Sequence, residues 1–209
     1  MAMSKYVYSI EDDIEHAKVL YVNLTNKCPN NCVFCIRKTV DNIKGTDMHL
    51  ETEDFDVKDV IDELNNYKNF EEVVFCGYGE PFEKLDILKA VAAYLKYKNK
   101  KVRVNTNGLG NVINGRCILP EISNIVDVVS ISLNAPNKEQ YKEISKPTYD
   151  NAYEEMKKFA TQCVGYDIDT IMTVVNGHPD YTLDLEACEK VASEIGADFR
   201  VREWLEKGY

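Results

Sequence analysis

Three cysteines fall close together in NLTNKCPNNCVFCIRK (23–38): Cys28, Cys32 and Cys35, spaced four and then three residues apart. Thiolates are soft ligands that select zinc, copper(I) or iron–sulfur clusters. On a regular helix the three would share a face but spread about 10 Å along the axis, at roughly 1.5 Å per residue. That is too far for one compact centre. Pro29, Asn30 and Asn31 favour a loop instead, and a loop can turn all three sulfurs toward one point. Structural zinc takes four ligands. His16, His49 and His178 are the only histidines, and none is near the triplet, so zinc would need His49 or Cys76 to close the site from a distance. A cubane iron–sulfur cluster normally takes four cysteines. Three local ligands would leave one iron open, and an open iron can bind a substrate or a cofactor.

The elements that must position this loop alternate short β-branched runs with amphipathic segments. Strands are expected at 19–25, 71–77, 101–108, 126–136, 167–175 and 198–204. Helices are expected at 56–67, 85–98, 151–163 and 183–196, the last with Gly196 at its C-terminal cap. Strands alternating with helices indicate a parallel sheet built from βαβ units. The chain is shorter than the roughly 250 residues of a full eight-unit barrel. A partial barrel open on one side and a flat doubly wound sheet both fit the periodicity. Strand parity leans toward the barrel: Val102 and Val104 alternate with Arg103 and Asn105, Val129, Ile131 and Leu133 with Ser130, Ser132 and Asn134, and Phe199 and Val201 with Arg200 and Arg202. Apolar residues on one face would meet the helices, and the polar set would line a shared interior.

The 209 residues are 44% hydrophobic, enough for one domain with a sizeable core. One domain over 1–209 is expected, with 1–18 preceding the first barrel strand. A net charge of −10 argues against nucleic-acid backbone binding, which needs a basic surface. There is no apolar run of about 18 residues for a membrane span, and MAMSKYVYSIEDD lacks the apolar core of a signal peptide. Seven cysteines without such a signal point to a reducing, cytoplasmic setting, where clustered cysteines bind metals or do chemistry.

Cys28-x3-Cys32-x2-Cys35, with aromatic Phe34 before the last cysteine, resembles the signature of radical S-adenosylmethionine (SAM) enzymes. The resemblance implies an α/β partial (β/α)6 TIM-like barrel, open on one side, with a 4Fe-4S cluster on Cys28, Cys32 and Cys35. In that family the free iron chelates S-adenosyl-L-methionine. Reductive cleavage then gives methionine and a 5′-deoxyadenosyl radical that takes a substrate hydrogen. GYGEP (77–81) resembles the family's GGEP motif. Gly77 and Gly79 would let the backbone approach the cofactor's methionine moiety, Tyr78 departs from the second glycine, and Glu80 would accept a hydrogen bond from the ammonium group. By the same resemblance Asn105, Ser132, Asn134 and Arg202 are cofactor-binding candidates at strand ends, and Phe34 joins them. For Asn134, a plain turn before Pro136 is an equal alternative. Arg200 and Arg202 also suit an anionic substrate. YVNLTNKCPNNCVFCIR together with SLNAPNKEQYKEISKP is similar to the small TatD-associated radical SAM proteins.

The resemblance further implies an external electron donor of the flavodoxin or ferredoxin kind. Only LEKGY follows the last expected strand, so an uncapped opening is expected, suited to a peptide or protein substrate or to completion by a partner. A glycyl-radical-enzyme activase is the alternative within enzymes. A zinc- or cluster-bearing interaction module is the alternative outside them. Substrate contacts are expected in loops 36–50 and 107–120, through Arg37, Lys38 and Arg116. Cys163 and Cys188 read as buried packing on helix faces, and Cys76, beside GYGEP, as either packing or a hydrogen-atom donor.

Overall fold

The structure, a computed structural model, describes residues 6–205. Seven strands form one sheet in the order β1 (Val7–Tyr8), β2 (Val19–Val22), β5 (Glu72–Phe75), β6 (Lys101–Thr106), β7 (Val128–Ser132), β8 (Asp169–Asn176) and β9 (Asp198–Glu203). β1 is antiparallel to β2, and every later pair is parallel. Parallel neighbours need long crossovers, supplied by α1 (Val57–Leu64), α2 (Leu85–Tyr97), α3 (Gly110–Asn114), α4 (Leu119–Ile122), α5 (Lys138–Ser145), α6 (Ala152–Gly165) and α7 (Leu185–Ile195). The six expected strands and four long helices are all present. β1 and β9 stand at opposite edges of the sheet without meeting, so the barrel is partial and open.

Local chemistry sets the helix ends. Asp56 and Asp59 form a reciprocal capping box at the start of α1. Asn137 and Asp184 cap α5 and α7, and Gly196 ends α7 at φ +84°, a conformation glycine takes without the cost a Cβ brings. Of the apolar parity of the strands, Val102, Val104, Val129, Ile131 and Leu133 are fully buried against the helices in one core, and Phe199 and Val201 on β9 are half-buried against it. Among the described residues no helix is long and apolar enough to cross a membrane.

Three features were not expected. The segment before β2 carries β1, which pairs with the sheet edge; residues 1–5 lie outside the described set. Residues 36–50 are not a plain loop: β3 (Asn42–Ile43) and β4 (Thr46–Asp47) form a hairpin. Lys44 and Gly45 both take positive φ at its tip, as a two-residue type I′ turn requires. Helices also stand where none is expected: α3 inside the loop expected at 107–120, and α5 between the strand expected at 126–136 and the helix expected at 151–163. Beyond β9, residues 206–209 of LEKGY fall outside the described residues, and with them the expectation of an uncapped opening.

Candidate metal centre

The cysteine loop leaves the carboxyl end of β2, where parallel α/β sheets gather their sites. Asn26 pins its start: Nδ2 donates to Leu50 O at 2.8 Å, and Oδ1 accepts from Leu50 N at 3.1 Å. Its far side pairs with the end of α5, where Asn31 N donates to Ser145 O at 3.1 Å, Val33 N to Ile144 O at 2.9 Å and Thr148 N to Pro29 O at 2.9 Å. Cys35 leads into a short 3-10 helix, Ile36–Lys38. The triplet is thus in a loop, as Pro29 and the asparagines imply.

Polar donors reach two of the thiols. Asn107 Nδ2 lies 3.8 Å from Cys28 Sγ, and Arg37 Nε lies 3.4 Å from Cys35 Sγ. Burial pushes the Cys28 thiol up to about 11, with the nearby Glu80 carboxylate adding to it, and burial beside the other thiols pushes Cys32 to about 12. A single zinc ion gathers its ligands within about 2.3 Å of one point. Among the described residues no three His, Cys, Asp and Glu side chains are arranged to hold one ion. A cluster spreads its cysteines over separate irons and asks for a wider set.

The glycines of GYGEP serve close packing between two loops. A Cβ on Gly77 would sit 2.2 Å from Asn23 Oδ1, and one on Gly79 would sit 2.4 Å from Thr25 O and 2.5 Å from Lys27 O. The glycines therefore let the loop after β5 press against the loop that carries the cysteines. Tyr78 keeps negative φ, but its ring packs with Tyr8, Val40, Ile43 and Met48, and its hydroxyl donates to Val40 O. It fastens the hairpin.

Glu80 is likewise engaged within the protein. It is 2% exposed, and its carboxylate accepts from Thr106 Oγ1 at 2.7 Å, Asn107 N at 2.7 Å and Phe82 N at 3.3 Å. It ties the exit of β5 to the exit of β6, including the asparagine that reaches Cys28. Burial raises its pKa from 4.5 to about 7 against the pull of the three donors. A carboxyl raised on folding stabilises fully below its unfolded value, and the contribution is lost as pH rises through the folded value. Metal-free wild type should therefore lose stability relative to Glu80→Gln as pH rises from 4.5 to 7, by at most about 1.4 kcal/mol per unit. Urea midpoints of both proteins at pH 5, 6 and 7 test this; a constant difference between them contradicts it.

The concave face carries the polar parity in rows: Tyr21, Val74, Arg103 and Val128, then Asn105, Ser130, Ile171 and Asp198, then Ser132, Thr173 and Arg200, then Val175 and Arg202. Arg103 pairs with Glu72 at 3.1 Å. Asn105 Oδ1 and Arg202 Nε are buried with no hydrogen-bond partner among the described residues. Such atoms cost stability unless something satisfies them. A polar ligand lying over the strand ends would do so, which fits a cofactor with amino and carboxylate groups. Ser132 is half-buried on this face and Arg200 is exposed.

The other expected residues divide. Phe34 packs edge-on to Tyr181 at 6.3 Å, and Tyr181 stacks on His178 at 5.1 Å, an aromatic wall past β8. Asn134 donates from Nδ2 to Ser145 Oγ at 2.9 Å, and its Oδ1 is buried with no hydrogen-bond partner among the described residues. Arg37 and Lys38 are not free for substrate. Arg37 also donates to Asn26 O at 3.2 Å and Asn30 O at 3.0 Å, and Lys38 Nζ donates to Cys32 O at 2.6 Å, so both brace the loop. Arg116 pairs with Glu121 at 2.8 Å. Cys163 and Cys188 are fully buried; Cys76 is half-buried, and Cys117 is exposed. Asn107 and Arg37 were missed as thiol neighbours, because nothing local in NTNG or CIRK marks contacts made through the fold.

A family model described as "Radical SAM superfamily" matches residues 22–191. A curated relative, "Uncharacterized protein MJ0804" of Methanocaldococcus jannaschii, is 26% identical over 131 residues, 62% of this chain and 39% of its own length. The chain thus spans about two fifths of that relative. SuiB of Streptococcus suis, solved with precursor peptide SuiA, superposes with a TM-score of 0.62 at 15% identity over 92% of this chain and 40% of SuiB. Native anSMEcpe with bound AdoMet gives 0.62 at 16% identity over 90% of this chain and 52% of that protein. At these identities the structures show a shared fold.

Proposed function

The chain belongs to the radical SAM superfamily, whose cofactors are a 4Fe-4S cluster and S-adenosyl-L-methionine, and from that premise we propose that it is an enzyme that generates a 5′-deoxyadenosyl radical and uses it to take hydrogen from a substrate. The observation that carries this is the placement of three thiols on one loop at the carboxyl ends of an open parallel sheet whose facing strands hold unsatisfied polar atoms. Cys28, Cys32 and Cys35 would hold the cluster and leave one iron free. When bound, the cluster supplies the electron that splits the sulfonium into methionine and the radical.

The chain's own residues then bind and orient. Asn105 Oδ1 has an acceptor to offer an ammonium or hydroxyl group, and Arg202 has donors to offer a carboxylate. Half-buried Ser132 lies one row along from Asn105 on the same face. The aromatic wall of Phe34 and Tyr181 closes the β8 side and would keep water from a reactive intermediate. The substrate we favour is a peptide or a protein loop. The support is the open sheet and the likeness to SuiB, a protein solved with a precursor peptide. Electrons would come from a flavodoxin- or ferredoxin-like donor.

The test is anaerobic reconstitution, chemical reduction and electron paramagnetic resonance with and without S-adenosylmethionine. The expected result is a reduced-cluster signal that changes shape when the cofactor is added, as binding at a free iron requires. A signal indifferent to the cofactor, or zinc in place of iron, contradicts the proposal and favours a metal-bearing interaction module.

A further inference from the structure

SLNAPNKEQYKEISKP (132–147) is not accounted for by the end of β7, because most of it wraps behind the cysteine loop. Asn31 and Val33 both pair with backbone carbonyls at the end of α5, which holds the intervening Cys32 against Ser145. Four polar side chains are buried there, with Asn30 at 3% exposure, Asn134 at 1%, Tyr141 at 1% and Ser145 at 0%. Asn30 Nδ2 donates to Tyr141 Oη at 3.4 Å, and Asn134 Nδ2 donates to Ser145 Oγ at 2.9 Å. The Ser145 hydroxyl also acts on the Cys32 thiol and the Tyr141 hydroxyl, pulling both pKa values down against the effect of burial.

The network has a direction. A hydroxyl carries one proton and two lone pairs. Asn134 N–H takes one of the Ser145 lone pairs and leaves the proton to go elsewhere. A cysteine that ligates a metal has lost its proton and can only accept. The chain of donors therefore runs from Asn134 through Ser145 to Cys32. It is maintained at a cost: Asn134 sits at φ +61°, and its Oδ1 is buried without a partner among the described residues. Strain of this kind in a non-glycine residue persists where the surroundings over-determine it, and it gathers at functional sites.

We propose that Ser145 is the positioning residue of Cys32. Its hydroxyl donates to the ligand sulfur, its orientation is set by Asn134, and the bond raises the reduction potential of the cluster. This rests on the cluster reading above. An added electron increases the negative charge on the ligand sulfurs, so a donor at sulfur stabilises the reduced state more than the oxidised one.

The test is a potentiometric titration of the full chain reconstituted with its cluster, followed by electron paramagnetic resonance. At a fixed potential the reduced-to-oxidised ratio should fall about tenfold in Ser145→Ala, which is about 59 mV for one electron. Ser145→Thr, which keeps the hydroxyl, should return it. Asn134→Gly tolerates the positive φ and removes only the donor behind Ser145, so a smaller fall in the same direction is expected. Unchanged potentials in both Ser145→Ala and Asn134→Gly overturn the proposal. So does loss of the cluster from both, which would make the pair scaffold. If wild type itself takes up no cluster, the underlying reading fails and this proposal fails with it. If wild type loads and the potentials do not move, only this proposal fails.

Discussion

Cys32→Ala should abolish 5′-deoxyadenosine formation, a loss of at least about a hundredfold, given that removing even an outer-shell partner of a metal ligand costs 10–100-fold. Its metal-free form should melt close to wild type, because one small half-buried thiol is lost and roughly 1 kcal/mol is at stake. Two thiols are too few to hold three irons of a cubane, so iron and sulfide should fall with the activity. Burial places Cys28 at about 11 and Cys32 at about 12 in the metal-free protein. Both are then protonated at neutral pH, and loading must displace those protons. The two readouts separate a ligand from a packing residue: a packing cysteine would lower the melting temperature and leave iron bound. Melting curves, iron and sulfide content and product chromatography on the variant decide between them.

Gly79→Ala should fold poorly and load little cluster. The new methyl carbon would lie 2.4 Å from Thr25 O and 2.5 Å from Lys27 O. Both are backbone atoms, so no rotamer change relieves the contact. Glu80 N also donates to Lys27 O at 2.8 Å, which binds the two loops into one unit. The strand-end loop that leads into Cys28 must shift, and overpacking of this kind costs up to about 3 kcal/mol. Gly77→Ala meets the Asn23 side chain at 2.2 Å instead. Asn23 can rotate, at the expense of its 2.8 Å bond to Met48 O, so a milder loss is expected. Gly165→Ala is the control: nothing lies within 4 Å of its Cβ position, and alanine suits the last turn of a helix better than glycine. Thermal melts and iron content of the three variants test this. Wild-type values for Gly79→Ala would contradict the close-approach account.

The parallel sheet was legible because each strand declares itself through β-branched residues and each long helix through its apolar stripe. Val102 and Val104 face the helices and Asn105 the interior, as alternation alone requires. The cysteine loop was legible from spacing and from Pro29. What the sequence hid depends on contacts between distant segments. Val7–Tyr8 is too short to show a period, and its partner is β2. Asn30 meets Tyr141 across 111 positions. The close approach of the GYGEP glycines to Asn23 and Thr25 is not written in the motif. Glu80 and Asn134 also make bonds within the fold that the sequence does not show, one joining two strand exits and one reaching Ser145.

The central claim is that this chain makes a radical from S-adenosylmethionine. The most direct measurement is 5′-deoxyadenosine released by anaerobically reconstituted, reduced protein, with iron, sulfide and zinc counted in the same sample. The expected result is about four irons and four sulfides per chain, no stoichiometric zinc, and product formed by wild type and absent from Cys32→Ala. Stoichiometric zinc, or a fully loaded cluster that leaves the cofactor intact under a strong reductant, would contradict it.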